Sequence, residues 1–132
     1  MQEFAVKTSK RSEILDLTEK VNQILKDKKI KTGLCSVFVK HTTCALAIAE
    51  LEQYMELDFF DAINEIFPDL DYRHAHDPSH VGEHIMSSII GHSVTLPFRD
   101  SKLDLGTWQS LVLVELSGPR DRKIVVNLID SG

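Results

Sequence analysis

Short segments with alternating or continuous apolar residues predict the β-strands of this chain. They cover residues 4–8, 13–17, 34–39, 44–48, 94–98, 108–116 and 123–129. The first two are joined by the polar segment 9–12, so we expect a hairpin to begin the domain. Segments 34–39 and 44–48 are separated by the polar run His41-Thr42-Thr43, and they fit either two buried strands or one bent strand.

Apolar residues three to four positions apart predict three helices. They cover residues 18–28, about 51–67 and 77–90. Thr18 is the expected N-cap of the first helix, although the apolar stripe could instead start at Ile14. The apolar and aromatic stripe of the second helix, which includes Ile66, is assigned to the core rather than to a cofactor pocket. Asp77 followed by Pro78 is typical of a helix start and places the beginning of the third helix there.

Strands interleaved with a few helices favour an α+β domain. We expect a mainly antiparallel sheet with the helices packed on one face. The chain has 132 residues and no linker, repeat or low-complexity segment interrupts it, so we expect a single domain spanning residues 1–132.

The composition excludes several classes of partner. A net charge of −5 argues against a general nucleic-acid binder, which needs clustered Lys and Arg to neutralise phosphates. No segment approaches the roughly 20 apolar residues of a membrane span, so no membrane partner is expected. The N-terminus lacks the basic start and apolar core of a secretion signal. Cys35 and Cys44 lie in apolar segments, which indicates reduced thiols and a cytoplasmic protein.

Histidine is the main clue to chemistry, because imidazole binds metals and carries protons near neutral pH. Five of the six histidines lie between residues 74 and 92, and the sixth is His41. His80 and His84 are four residues apart on the predicted third helix, so both face the same side. Three nitrogens from this pair, one of the loop histidines His74 and His76, and His41 could hold zinc at about 2.0–2.1 Å, with a water in the fourth position. A solvated or hydrogen-bonded role is equally open for each of them, and it is favoured for His92.

Residues 80–84 also match the H-x-x-E-H pattern of a class of zinc peptidases. Such a peptidase needs a long uninterrupted helix, a further acidic ligand and a substrate cleft, whereas Gly82 lies inside the motif of a very small domain. We therefore interpret this match as accidental.

Several short motifs in a fixed order carry a family resemblance. They are His41-Thr42-Thr43 with Glu50 after the following strand, Tyr72-Arg73-His74, His84 in a helix that runs into Ile89-Ile90-Gly91, Ser93-Val94-Thr95-Leu96-Pro97, Leu105-Gly106-Thr107-Trp108-Gln109, and Gly118-Pro119-Arg120. On these motifs, which span nearly the whole length, the chain resembles the YjbQ family of small proteins, known for a weak, secondary thiamin-phosphate synthase activity.

The resemblance implies an α/β sandwich that assembles as a homotrimer, with the site near the subunit boundary. His41, His74 and His84 match the family's histidines and are suspected of binding a divalent metal such as zinc. The chain departs from the family at residues 80–84, where the family usually has Asn-Ala-Asp-Ala-His. His80 is therefore either an additional metal ligand or the replacement of a hydrogen-bonding amide.

Carboxylates and hydroxyls near these histidines are further candidates. Glu50 and Glu83 are the candidate general bases. Thr42 and Thr43 follow His41 directly and are the candidate hydroxyl contacts to substrate. Cys44 lies in an apolar run and is assigned to packing.

Two further segments could contribute to substrate binding. Trp108 and Gln109 could line a pocket, but a strand start with Trp108 buried is favoured, and the two side chains point to opposite faces of a strand. Arg120 lies in a turn, and its guanidinium matches the geometry of phosphate oxygens.

Two classes of function follow. The first is a metal-dependent enzyme that acts on a small phosphorylated molecule, either by a thiamin-phosphate synthase-like transfer with loss of pyrophosphate or by metal-assisted hydrolysis of a phosphate ester. The second is a non-catalytic trimer that binds a metal or a small anion. An open coordination position and turnover favour the first, whereas a closed shell of four protein ligands favours the second.

Overall fold

The structure is a computed structural model that describes residues 1–73 and 81–132. The strands in these residues are Gln2–Lys7 (β1), Glu13–Asp16 (β2), Gly33–Val39 (β3), Cys44–Ala49 (β4), Ser93–Arg99 (β5), Lys102–Leu103 (β6), Ser110–Glu115 (β7) and Asp121–Asp130 (β8). The helices are Thr18–Lys28 (α1), Met55–Ile66 (α2) and Val81–Ile90 (α3). The predicted start of the third helix, at residues 77–78, lies outside the described residues.

The strands form two antiparallel sheets. One has the order β1-β8-β3-β5-β6 and the other the order β2-β7-β4. The main apolar core lies between the sheets and includes the inner side of α1, whereas α2 and α3 pack against the outer face of the three-stranded sheet. The predicted α+β domain with mainly antiparallel strands is confirmed. The strands form two sheets rather than one, and only α2 and α3 pack on the same face, because α1 contributes to the core between the sheets.

The expected hairpin between the first two strands is wrong. β1 pairs with β8 in one sheet, and β2 pairs with β7 in the other. The backbone N–H and the hydroxyl of Ser9 each donate to the Glu13 carboxylate at 2.8 Å, which turns the chain between the layers. Local alternation of apolar residues predicts a strand but not its partner. Likewise β3 and β4 are two separate strands in different sheets, rather than one bent strand.

β7 is the central strand of its sheet and is covered on both faces. Leu111 and Leu113 belong to the core between the sheets, whereas Val112 and Val114 pack toward α2 and α3. Because side chains alternate along a strand, Glu115 points into the space between the sheets with Leu111 and Leu113. A carboxylate in this position needs a buried partner.

Thr18 begins α1 as predicted, but it is not the N-cap. The residue before it, Leu17, holds that position and its side chain makes no capping hydrogen bond, whereas the Asp16 carboxylate accepts the Thr18 N–H at 3.0 Å. The Thr18 hydroxyl instead accepts a hydrogen bond from the backbone N–H of Leu111 at 3.0 Å. The hydroxyl therefore ties α1 to β7, a role that local helix-capping rules do not include.

The second helix is shorter than predicted, and its stripe is only partly core. Phe59 and Phe60 pack against the three-stranded sheet. Ile66 was assigned to the core but is 65% exposed, and no residue of α2 is fully buried. Within the described residues, no helix is long and apolar enough to cross a membrane.

Candidate functional site

The candidate site residues fall at two opposite ends of the three-stranded sheet. His41, Thr42 and Thr43 immediately precede β4, and Glu50 immediately follows it. At about 3.4 Å per residue, the six residues of β4 place these two groups roughly 20 Å apart within one chain. Glu50 is exposed at its end and does not approach His41 in this chain.

Trp108 and Gln109 lie at the Glu50 end. β7 begins beside the end of β4, since Ser110 pairs with Ala49. Trp108 is 68% exposed, so the expectation that it is buried at a strand start is wrong, because β7 begins two residues later and residue 108 belongs to the preceding turn. The side-chain oxygen of Gln109 accepts the Gly106 N–H at 2.9 Å and so stabilises that turn.

His41 is fixed by a contact with β8. Its Nε2 accepts a hydrogen bond from the backbone N–H of Lys123 at 3.0 Å. A neutral imidazole that accepts through one nitrogen carries its proton on the other. Nδ1 of His41 is therefore a donor, suited to an anionic oxygen.

Arg122 holds the loop from His41 to Thr43 through hydrogen bonds to Thr43. The Nη2 of Arg122 donates to the backbone oxygen of Thr43 at 3.0 Å and to its hydroxyl at 2.8 Å. Arg122 is 2% exposed and lies on β8, in the other sheet. It therefore links the five-stranded sheet to the loop that precedes β4.

Arg122 and Glu115 form a buried ion pair between the two sheets. The Arg122 Nε donates to Glu115 Oε1 at 2.9 Å, and its Nη2 donates to Oε2. Burial alone would raise the pKa of the Glu115 carboxyl, but hydrogen bonds from Arg122 and Thr8 outweigh it and lower that pKa. The pair stays ionised near neutral pH.

Sequence reasoning missed this pair, although a signal was present. The alternation of β7 puts Glu115 on the same face as two buried leucines, and that of β8 puts Arg122 in line with Ile124 and Val126. Opposite charges at core-facing positions of two strands predict a buried pair.

The turn between β7 and β8 carries Arg120 and lies at the His41 end of the three-stranded sheet, since Glu115 pairs with Cys44. Its side chain is exposed, and its Nε donates to the backbone oxygen of Ser117 at 2.8 Å. Its backbone N–H donates to the Thr8 hydroxyl at 2.9 Å, and that hydroxyl donates to Glu115 at 2.6 Å. The turn is thereby connected to the buried ion pair.

The electrostatic surroundings of His41 favour an anion. Burial lowers the pKa of His41, and the positive charges of Arg122, Arg120 and Lys123 lower it further against the opposing effect of Glu115. The imidazole is therefore neutral near neutral pH. The same charges that disfavour imidazolium would repel a cation and attract a phosphate group.

The first turn of α3 lies at this end as well. The Ser87 hydroxyl donates to the Cys44 carbonyl at 2.5 Å, and farther along both elements the Leu46 N–H donates to the Gly91 carbonyl oxygen at 2.9 Å. Helix and strand thus run in the same direction, which places His84 toward the loop that contains His41.

Glu83, beside His84, forms an ion pair with Arg11. The Glu83 side chain is 12% exposed and that of Arg11 is 62% exposed. Arg11 also accepts the Gly118 N–H through its backbone oxygen at 3.0 Å, which holds it against the β7–β8 turn. The candidate base Glu83 is therefore near the His41 end, and it already has a cationic partner.

Ser87 and His92 form a pair that looks like a nucleophile and its base, with Oγ and Nε2 2.7 Å apart. Ser87 is fully buried, and its own proton is directed to the Cys44 carbonyl. The pair therefore joins α3 to the sheet, which agrees with the structural role favoured for His92. Burial raises the pKa of the Cys44 thiol to about 11, so it packs as a neutral group.

A metal site is not assembled by the residues that the structure describes. Among residues 1–73 and 81–132, no three His, Cys, Asp or Glu side chains converge as ligands. His74 and His80 lie outside the described residues, so the predicted zinc site stays a prediction. For His41 to bind a metal, its ring would have to give up the hydrogen bond from Lys123, because Nε2 holds the free lone pair.

A cavity of about 430 Å³ lies between α2, α3 and the corner before β2. Phe60, Phe67 and Met86 form much of its apolar lining, and Arg11 and Glu83 contribute charge. This volume falls in the range of small-molecule sites, roughly 300–1,000 Å³.

Comparison with known proteins assigns the chain to a family. The model of the UPF0047 protein YjbQ-like family matches residues 2–131. The chain belongs to the YjbQ family. The UPF0047 protein of Methanothermobacter thermautotrophicus is 35% identical over 128 residues, which are 96% of this chain and 90% of that relative. YugU, the UPF0047 protein of Bacillus subtilis, is 28% identical and covers 98% of both chains.

Solved structures of YjbQ-family proteins share this fold. An uncharacterised conserved protein from Clostridium acetobutylicum is 32% identical, with a TM-score of 0.88 over 98% of this chain and 100% of that one. A protein of unknown function from Sulfolobus solfataricus is 33% identical, with a TM-score of 0.89 over 96% of this chain and 94% of that one. The two-sheet arrangement is thus common to an archaeal and a bacterial relative.

Proposed function

We propose that this protein binds a small phosphorylated molecule at the His41 end of the three-stranded sheet and acts on it. The observation that carries the proposal is the imidazole of His41, which accepts the backbone N–H of Lys123 on β8 and whose pKa is lowered by burial and by the charges of Arg122, Arg120 and Lys123. Arg122 is neutralised by Glu115, which leaves the exposed side chains of Arg120 and Lys123 as the groups that can meet a phosphate.

The chemistry proposed for this end is departure or transfer of a phosphate group. Positive groups and N–H donors stabilise the charge that develops on phosphate oxygens. A thiamin-phosphate synthase-like transfer with loss of pyrophosphate and hydrolysis of a phosphate ester both require this. Glu83 is the proposed general base at this end, and Arg11 would have to release it.

The metal belongs to the proposal as a separate element. His84, with His74 and His80, is the set proposed to hold a divalent ion, most notably zinc, and such an ion would neutralise charge on a phosphate. The described residues do not supply a complete ligand set. No step of the proposed chemistry is therefore routed through the metal.

A homotrimer would explain the division of the candidates between two ends. Glu50, Trp108 and Gln109 lie on the far side of one chain, and only a neighbouring copy could bring them to His41. The exposed apolar residues Phe38 and Ile129 on the five-stranded sheet are consistent with such contacts. Light scattering tests this: a trimer supports a shared site, and a monomer at working concentration contradicts it.

Isothermal titration with pyrophosphate tests the binding proposal. The paired variant Arg120→Gln with Lys123→Gln removes both exposed charges, and we expect it to weaken binding by about tenfold or more. Lys102→Gln is the matched control, because Lys102 is exposed on β6 at the opposite end of its sheet. Equal affinity in all three proteins, or no binding to the wild type, would contradict the proposal.

A non-catalytic binding protein is the second candidate. The observation that favours it is that both potential bases at this end are engaged, His41 Nε2 by Lys123 and Glu83 by Arg11. Release of phosphate or pyrophosphate from a panel of phosphorylated compounds, measured with added zinc, magnesium or manganese, separates the two. Turnover that is lost in Glu83→Gln supports the enzyme, whereas binding without turnover supports the second candidate.

A further inference from the structure

Five residues form a continuous hydrogen-bonded path between the two sides of the proposed anion site. Arg122 donates to Thr43 on one side and to Glu115 on the other, and Thr8 joins Glu115 to the backbone of Arg120. We propose that this path is a positioning network that holds the His41–Thr43 loop and the Arg120 turn in register for the phosphate, with Arg122 as its positioning residue. This inference rests on the proposed function.

The Arg122 side chain points toward the loop that contains His41. Its guanidinium is enclosed between the sheets, yet its donors reach the Thr43 carbonyl and hydroxyl at 3.0 and 2.8 Å. A planar fork can hold Glu115 and Thr43 together, whereas a lysine ammonium at the same place could not satisfy both in fixed directions. Loop and carboxylate are therefore oriented by one rigid group.

The far side of the network is equally specific. The Thr8 hydroxyl donates to Glu115 Oε1 at 2.6 Å and accepts the Arg120 N–H at 2.9 Å. Its donor and acceptor functions are thus both used to connect the buried carboxylate to the turn. Because Thr8 bonds Glu115, and Glu115 bonds the guanidinium that holds Thr43, a displacement on one side of the network is expected to shift the other side.

Core stability alone does not require this arrangement. Buried ion pairs are often replaced by apolar residues of similar volume with no loss of stability. At the other end of β7, Leu111 fills the same face of the strand without any charge. Among the described residues, the buried charged pair lies beside the loop of His41 and the turn of Arg120.

A double-mutant cycle on pyrophosphate affinity tests the network. Thr8→Val and Thr43→Val remove one hydroxyl from each side, and the hydrogen bonds that connect these hydroxyls in the described part of the chain run through Glu115 and Arg122. We expect each change to weaken binding about tenfold, and the double variant to be little weaker than either single one, because the sites are coupled. Additive effects of about a hundredfold would overturn the inference.

Two controls separate positioning from general destabilisation. Leu111 lies on β7, the same strand as Glu115, but outside the network. Leu111→Ala is expected to lower thermal stability and to leave pyrophosphate affinity unchanged. Thr8→Ser keeps the hydroxyl and is expected to restore wild-type affinity. Loss of affinity in Leu111→Ala equal to that in Thr8→Val would mean that stability, not position, is the cause.

A ligand-free measurement keeps the network testable if the wild type does not bind pyrophosphate. Hydrogen exchange of the Lys123 amide reports on its bond to His41 Nε2, which belongs to the loop that Arg122 holds. In Thr8→Val we expect this amide to exchange about tenfold faster, by transmission through Glu115 and Arg122. If the Lys123 amide exchanges at the wild-type rate in Thr8→Val, the network is overturned. If it exchanges faster but the wild type does not bind pyrophosphate, only the proposed function is overturned.

Discussion

The backbone N–H of Lys123 donates to Nε2 of His41 at 3.0 Å, and this bond determines what the imidazole can do. It leaves Nδ1 with the proton, so the ring offers a donor rather than a lone pair to an incoming ligand. It also fixes the loop before β4 to a strand of the other sheet. An anion beside His41 is thus favoured over a cation.

The pH dependence of stability should report the environment of His41. Burial and the neighbouring cations lower its pKa in the folded protein below the ordinary value of about 6.5. Since the unfolded chain then binds the extra proton more readily, the free energy of unfolding should fall as the pH drops from about 6.5 through the folded pKa.

His41→Gln is the comparison, because a glutamine oxygen can still accept the Lys123 N–H without titrating. Thermal denaturation across this pH range should show a shallower acid-side loss in His41→Gln than in the wild type. Parallel curves would contradict a lowered pKa.

Breaking the buried pair should be much more damaging than replacing it. Arg122→Met leaves the Glu115 carboxylate without its main partner and should lower the free energy of unfolding by about 3–5 kcal/mol. Arg122→Met combined with Glu115→Leu removes both charges and should recover most of that loss. Urea denaturation measures both, and a double variant as unstable as the single one would show that the charges themselves stabilise the fold.

The hydroxyl of Thr18 should matter through β7 rather than through helix capping. Thr18→Val leaves the Leu111 N–H without its acceptor, and we expect a loss of about 1–3 kcal/mol in the free energy of unfolding. Thr18→Ser keeps the acceptor and should stay close to the wild type. An equal loss in both variants, measured by urea denaturation, would contradict this role.

The predicted metal site has its own measurement. Elemental mass spectrometry of untagged protein should find about one zinc ion per chain in the wild type and none in His84→Ala. Protein that is free of metal and cannot be loaded with zinc, manganese, iron or magnesium would end the metal proposal. The anion site would be unaffected by that result, because its groups are Arg120, Lys123 and the imidazole of His41.

Local pattern predicted most elements of the fold because strand and helix periodicity is a property of short segments. It failed where the partner of a segment is distant in the chain. The first strand pairs with β8 instead of β2, and the hydroxyl of Thr18 serves β7, more than ninety residues away. Ile66 has the spacing of a core residue but is exposed, since the sheet covers only one side of α2.

The candidate site was predictable only in part, because a motif of consecutive residues is visible in a short segment whereas contacts between distant segments are not. The motif His41-Thr42-Thr43 identified a loop that the structure ties to β8 through Lys123 and Arg122, and its role as a binding site stays a prediction. Its support, Arg122 and Glu115, comes from two strands in different sheets, and only the register of both strands brings them together. The exposed position of Trp108 depends on where β7 begins, which apolar periodicity alone does not fix.

Mapping of amide chemical shifts during titration with pyrophosphate is the most direct test of the His41 end as the phosphate site. We predict the largest shifts at residues 41–43 and 120–123, with weaker or no shifts at Lys102 and its neighbours. Absence of shifts at residues 41–43 and 120–123, or shifts confined to other surfaces, would contradict the proposal that this end of the fold recognises a phosphorylated molecule.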